Sequence, residues 1–233
     1  IITSMRETIE NSGGEVLFNT LLTDIKIEDG KLVSVQLESS NSEVQRECSK
    51  LILATGHSAR DVFRMLDRNG IILEAKPFAI GVRVEHPQSY VDAVQYHGEE
   101  RVNFKDEERL PPASYKLVCQ IDGRGVHSFC MCPGGVIAPC ATSPGEIVTN
   151  GWSPSKRNNP YANSGMVVTI DSSVWEDAGF SGALAAMEYQ AEVEKTCWEA
   201  ASSKMESNKS EAYHIQTAPA QRLTDFIAGR SSH

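Results

Sequence analysis

The feature that most restricts the folds open to this chain is the stretch Leu51-Ile52-Leu53-Ala54-Thr55-Gly56-His57-Ser58. Three bulky apolar residues run into Ala-Thr-Gly, and a helix-like run follows at Asp61–Leu66. A short continuous apolar run bounded by glycine reads as a strand buried on both faces. Small residues at its end let a ligand or a second backbone come close. In open α/β sheets, ligands gather outside the carboxyl ends of such strands. The same string also fits a plain core strand ending in a turn, so its surroundings decide its meaning.

Upstream, Ile2, Met5 and Ile9 recur at helical spacing ahead of Gly13-Gly14. Glu15–Asn19 reads as a short strand. Asp24–Glu28 and Lys31–Leu37 flank Asp29-Gly30, a strong local hairpin signal, and Val44–Cys48 adds a third strand. The expected order is helix, strand, antiparallel meander, buried strand and helix, closed by Asn69-Gly70.

Downstream, Phe78–His86 is a long strand containing Gly81 and ended by Pro87. Tyr90–Pro112 reads as a short helix and a surface loop, and Tyr115–Ile121 as a strand. From Asp122 to Asn163 the chain is dense in Gly, Pro, Ser, Asn and Cys, with one strand expected at Glu146–Gly151. Met166–Ile170 is a further strand. A helix over Ser181–Ser202 carries Leu184, Met187, Ala191 and Trp198 near one face, a core stripe. A polar stretch runs to Glu211, and Thr217–Phe226 forms the last recognisable element. The fold class expected is α+β.

With 233 residues, 40% hydrophobic and 23% charged, the chain has the balance of an ordinary globular protein. A net charge of −9 with no long basic run argues against a nucleic-acid or anionic-membrane surface. No apolar run reaches the roughly 18 residues of a membrane span, and no signal-peptide pattern opens the chain. Six cysteines in this length do not make a small disulfide scaffold, so free thiols in a reducing cytoplasm are expected. Ile1 already lies inside an amphipathic pattern, and the chain is expected to be an internal piece of a longer protein.

The most unusual string is Cys130-Met131-Cys132-Pro133-Gly134-Gly135. One reading is a turn that directs thiols or backbone N–H groups at a ligand, with Cys130 and Cys132 as reactive groups. The other is a tight glycine-rich turn holding two small packed thiols. His127, Cys130, Cys132 and Cys140 also suggest zinc, but Cys-x-Cys is not the usual ligand spacing and no second pair accompanies it. Asn150, Arg157, Asn158 and Asn163 form a polar cluster that could bind a carboxylate or phosphate, or simply build turns. Arg83 and Arg222 either line a site or pair with acidic surface groups. His57 offers acid–base chemistry near neutrality or a polar residue at a helix start.

Several strings occur together and in order: Gly13–Thr20, Leu53–Asp61, Ala75–Arg83, Phe129–Gly135, Val148–Gly151 and Ala218–Phe226. In this the chain resembles a family of FAD-dependent dehydrogenase-like oxidoreductases along nearly its whole length. The resemblance implies that residues 1–73 are part of a Rossmann-like FAD-binding domain and 74–233 an inserted mixed-sheet substrate domain with a long helix. Ala54, Thr55, Gly56 and His57 would then lie against the flavin nucleotide. Arg83, Gly134, Gly135, Asn150, Arg157, Asn163 and Arg222 would face a small-molecule substrate, with NAD(P)H open as an electron partner. The family's Gly-x-Gly-x-x-Gly pyrophosphate turn does not occur in this sequence, nor does its closing glycine-rich segment. The remainder of the FAD domain is therefore an expected partner, and the chain alone is expected to hold FAD poorly. The alternative is a ligand-binding or interaction domain without catalysis of its own.

Overall fold

The computed structural model describes residues 1–40, 42–97, 110–202 and 217–232. Most of the loop expected within Tyr90–Pro112, and the polar stretch expected up to Glu211, lie outside the described residues. The fold is α+β with antiparallel sheets, and the chain divides into two compact units, Ile1–Glu74 and Ala75–His233.

In the first unit, α1 (Ile2–Asn11) precedes a meander of β1 (Thr20–Glu28), β2 (Lys31–Ser39) and β3 (Ser42–Glu47), paired in that order. Asp29 and Gly30 both take positive φ, 51° and 71°, as a two-residue hairpin turn requires. One face of the meander is apolar, and α2 (Arg60–Arg68) packs on it. Ile25 and Val35 from the strands meet Val62 and Met65 from the helix in a small core. Fully burying such a side chain contributes about 1.5–3 kcal/mol. Asn69 ties the helix end to β1, its Nδ2 donating to Asp24 Oδ1 at 2.6 Å and to the Met65 carbonyl at 2.9 Å.

Two strands expected from sequence do not form in this unit. Glu15–Asn19 is irregular, and Leu51–Gly56 belongs to no sheet. A strand exists by exchanging backbone hydrogen bonds with a neighbour, and neither segment has one among the described residues. Ile52 is accordingly 91% exposed, where a strand buried on both faces had been expected.

The second unit is built on a four-stranded antiparallel sheet in the order β4 (Phe78–Pro87), β9 (Tyr161–Ile170), β6 (Arg124–Cys132) and β5 (Val118–Ile121). A two-stranded hairpin, β7 (Val136–Cys140) with β8 (Val148–Trp152), accompanies it. The span Asp122–Asn163, expected to be loop with one embedded strand, thus contains three whole strands and the start of β9. The strand expected over Tyr115–Ile121 begins only at Val118.

Strand alternation sorts the sheet into two faces. On one, α3 (Gln88–Gln95) packs through Val91 against Ala113 and Ala162, with Tyr96, Tyr115 and Met131 around them. On the other lie Arg83 and Glu85 of β4 with Asn163 and Gly165 of β9, placed opposite one another by the register. Beyond β9, α4 (Ser172–Asp177) starts at Asp171, whose carboxylate accepts from the Ser173 N–H at 3.1 Å. Trp175 stacks on Phe78, and α5 (Ala185–Ser202) follows, with Leu184, Met187, Ala191 and Trp198 only half-buried. The last helix, α6 (Leu223–Ile227), is short.

Candidate functional site

The site begins with a break in the sheet. β6 and β9 pair regularly as far as Phe129 opposite Gly165, then resume with Cys132 opposite Asn163. The residues between form a bulge, and Cys130 takes φ 45°, a left-handed conformation that costs a non-glycine residue about 1–3 kcal/mol. The bulge aims the Cys130 carbonyl toward β4, where Arg83 Nη1 donates to it at 3.4 Å. The same nitrogen donates to Asn163 Oδ1 at 2.6 Å. Asn163 is fully buried, and its Nδ2 has no acceptor among the described residues. Gly151 of β8 lies directly over this pair. A Cβ there would collide with Arg83 Nη1 and Asn163 Oδ1, so only glycine permits the approach.

The turn Cys130–Gly135 is held from behind by a buried polar knot. Gln88 Oε1 accepts from the Gly134 N–H at 2.7 Å, while its Nε2 donates to Asp92 Oδ1 at 2.8 Å and to the Ala113 carbonyl at 3.0 Å. Asp92 Oδ1 also accepts from the Ala113 N–H at 2.8 Å. Ser153 Oγ donates to the Pro133 carbonyl, and the Gly135 N–H to the Tyr161 carbonyl. Gln88 and Asp92 sit four residues apart on α3 and both are buried. In sequence they pass for ordinary polar positions of a surface helix; the one available signal was the i, i+4 spacing of an amide and a carboxylate.

The expected site residues divide clearly. Arg83, Cys130, Cys132, Gly134, Gly135 and Asn163 come together at this corner. Cys132 is buried, its Sγ donating to the Cys130 carbonyl at 3.3 Å, whereas Cys130 is exposed. Arg157 joins through its backbone: its carbonyl packs against Gly134, and its side chain is exposed. Asn150 does not join. It neighbours Gly151 on β8, so alternation turns it to the other side of the hairpin, where its Nδ2 donates to Cys140 Sγ at 3.3 Å. Arg222 lies elsewhere, around an open depression with Asp225, Arg230 and Ser231. Ala54, Thr55, Gly56 and His57 belong to the first unit and are exposed throughout. Among the described residues no group of three His, Cys, Asp or Glu side chains converges to hold a metal.

Behind the sheet, His86 stacks on Tyr115 with ring centroids 5.5 Å apart. Burial pushes the His86 pKa down, with Glu85 pulling the other way. Burial also pushes the Tyr115 phenol up, partly offset by its hydrogen bond with Ser164.

The corner is thus a bulged, glycine-crowded break in an antiparallel sheet. Residues 77–233 match the family described as FAD-dependent protein, C-terminal domain-like, and the chain belongs to that family. A protein of Clostridium beijerinckii, described as an uncharacterized protein, is 38% identical over 234 residues. That match takes in all of this chain and 40% of that protein, so the chain spans about two-fifths of its relative's length.

Proposed function

We propose that this chain is part of a flavin-dependent oxidoreductase, a dehydrogenase of a small organic molecule, and that the corner around Arg83 and Asn163 faces the substrate. The observation that carries this reading is the half-buried Arg83 guanidinium, held by two neutral oxygens under a glycine backbone and beside a strained bulge. Strained backbone and a positioned cation are what a substrate site uses. Bound FAD supplies the acceptance of a hydride from substrate. This chain's residues supply binding and orientation, with the rest of the FAD domain as partner and NAD(P)H as a candidate electron partner. Cys130, the exposed thiol of the pair, is the one placed to approach a ligand.

Ala54–His57 fits one wall of a flavin site and no more. Gly56 takes φ 78°, and a Cβ there would meet nothing within 4 Å, so a flat ring can lie against the exposed backbone. No glycine-rich phosphate turn accompanies it among the described residues, which favours weak retention of FAD by these residues alone. The test is an equilibrium titration of FAD followed by flavin fluorescence. Weak, saturable quenching that Gly56→Leu abolishes is the expected result. No binding, or binding indifferent to Gly56→Leu, would remove the flavin reading from this segment. A ligand-binding domain without catalysis is the second reading, favoured by the fact that the Arg83 corner is built within the second unit alone. Anaerobic bleaching of bound flavin by a small-molecule substrate would exclude it.

A further inference from the structure

We infer that Arg83, held in position by Asn163, anchors a carboxylate, so that the small molecule taken by this domain is an organic acid. The inference deepens the functional reading above, resting on it only for the presence of a substrate at this corner.

Arg83 commits a single nitrogen, Nη1, to its neighbours, and both acceptors are neutral. It makes no ion pair among the described residues; Glu85, next on the same face, is exposed and does not bridge to it. A guanidinium drawn partly out of water without a counter-ion is costly, and structures normally pair it. The uncommitted edge, Nε and Nη2, is a rigid two-donor fork that matches the two oxygens of a carboxylate.

Asn163 fixes Arg83 from within the sheet, through its buried side-chain oxygen. Its amide nitrogen is completely buried and unpartnered, an arrangement that costs about 1–3 kcal/mol. The Arg83 bond fixes which amide atom is the oxygen, so turning the amide over would only set donor against donor. One positive charge beside a neutral amide balances one negative charge. A phosphate dianion would leave charge uncompensated, which is why a carboxylate is the better fit.

The test is heteronuclear NMR of the whole chain, following the Arg83 guanidinium and Asn163 side-chain amide signals. Acetate, benzoate and succinate are each titrated against the corresponding neutral amide, with inorganic phosphate as a further arm. The expected result is saturable shifts of both signals with the acids, binding weaker by about tenfold or more with the amides, and little response to phosphate. Arg83→Lys should keep part of the affinity and Arg83→Met should lose it. Equal response to acid and amide, no response to any acid, preference for phosphate, or undiminished binding by a folded Arg83→Met variant would each overturn the inference. Because no flavin is present in these titrations, failure here is separable from failure of the FAD titration. Acids can bind where flavin does not, and flavin can bind where acids do not.

Discussion

Two segments of this chain carry the same kind of sequence, small residues after an apolar run, and fold in opposite ways. Leu53-Ala54-Thr55-Gly56 is exposed from end to end, and a Cβ added at Gly56 would meet nothing within 4 Å. Cys132-Pro133-Gly134-Gly135 is buried throughout, with the Arg157 backbone against Gly134 and the Trp152 carbonyl against Gly135. Small residues in the first leave space; in the second they let main chain approach main chain. Only the second site is enclosed by neighbours from the same unit, and its local backbone strain is held in place by that enclosure.

The largest effect should come from filling the closed segment. Gly134→Ala adds a methyl that strikes the Arg157 backbone at a residue with φ 50°. Overpacking against backbone together with a left-handed conformation should cost about 3 kcal/mol. The corresponding fall in Tm is roughly 6–12 °C. All three tryptophans, Trp152, Trp175 and Trp198, lie in the second unit, so their fluorescence reads this loss without contribution from the first. An unchanged fluorescence melt would mean that the turn is not locked as described.

Next in size is the knot behind the turn. Gln88→Leu strips the Gly134 N–H and the Ala113 carbonyl of their buried partner, at an expected cost of roughly 2–3 kcal/mol. The variant also unlocks the turn whose Cys130 carbonyl accepts from Arg83, so carboxylate affinity should fall with stability. Loss of stability with affinity intact would show that Gln88 only packs.

The open segment should respond far less. Gly56→Ala meets no atom and pays only for its φ of 78°, about 1 kcal/mol. Hydrogen exchange of the β1–β2 amides is the measurement, since no tryptophan reports on the first unit. A loss as large as that of Gly134→Ala would erase the contrast between the two segments.

What could be read from the sequence follows the same division. Asp29-Gly30 between alternating flanks gives its hairpin from local chemistry alone, and α2 and β4 are equally local. Asp122-Gly123 is a second turn of the same type, with φ 49° and 77°, and it joins β5 to β6. Its signal was present, but β6 is rich in Gly, Ser and Cys and becomes a strand by pairing with β9, which composition does not reveal. Leu51–Gly56 errs in the other direction: strand-like residues, with no strand beside them among those described. At the site, Arg83 and Asn163 were each recognisable as polar candidates. That they bond across eighty positions of sequence is a product of the register between β4 and β9.

The smallest effect expected is a difference in how the two units meet acid. In the second unit, His86 is partly buried against Tyr115 and its pKa is held below the ordinary value of 6.5, chiefly by burial. The unfolded chain then binds a proton at His86 more readily than the folded one does. Stability from this group is complete above the unfolded value and is lost as pH falls through the lower folded one. In the first unit, Asp24 is held below 3.8, mainly by its hydrogen bond from Asn69, with burial opposing. Its contribution is present above that value and disappears only at lower pH. Mild acid should therefore lower the tryptophan-detected Tm before it weakens protection of the β1 amides. His86→Phe, which keeps an aromatic ring on Tyr115 and removes the titration, should flatten the first response and leave the second in place. If the tryptophan response keeps its slope in His86→Phe, the acid sensitivity of the second unit lies in another group.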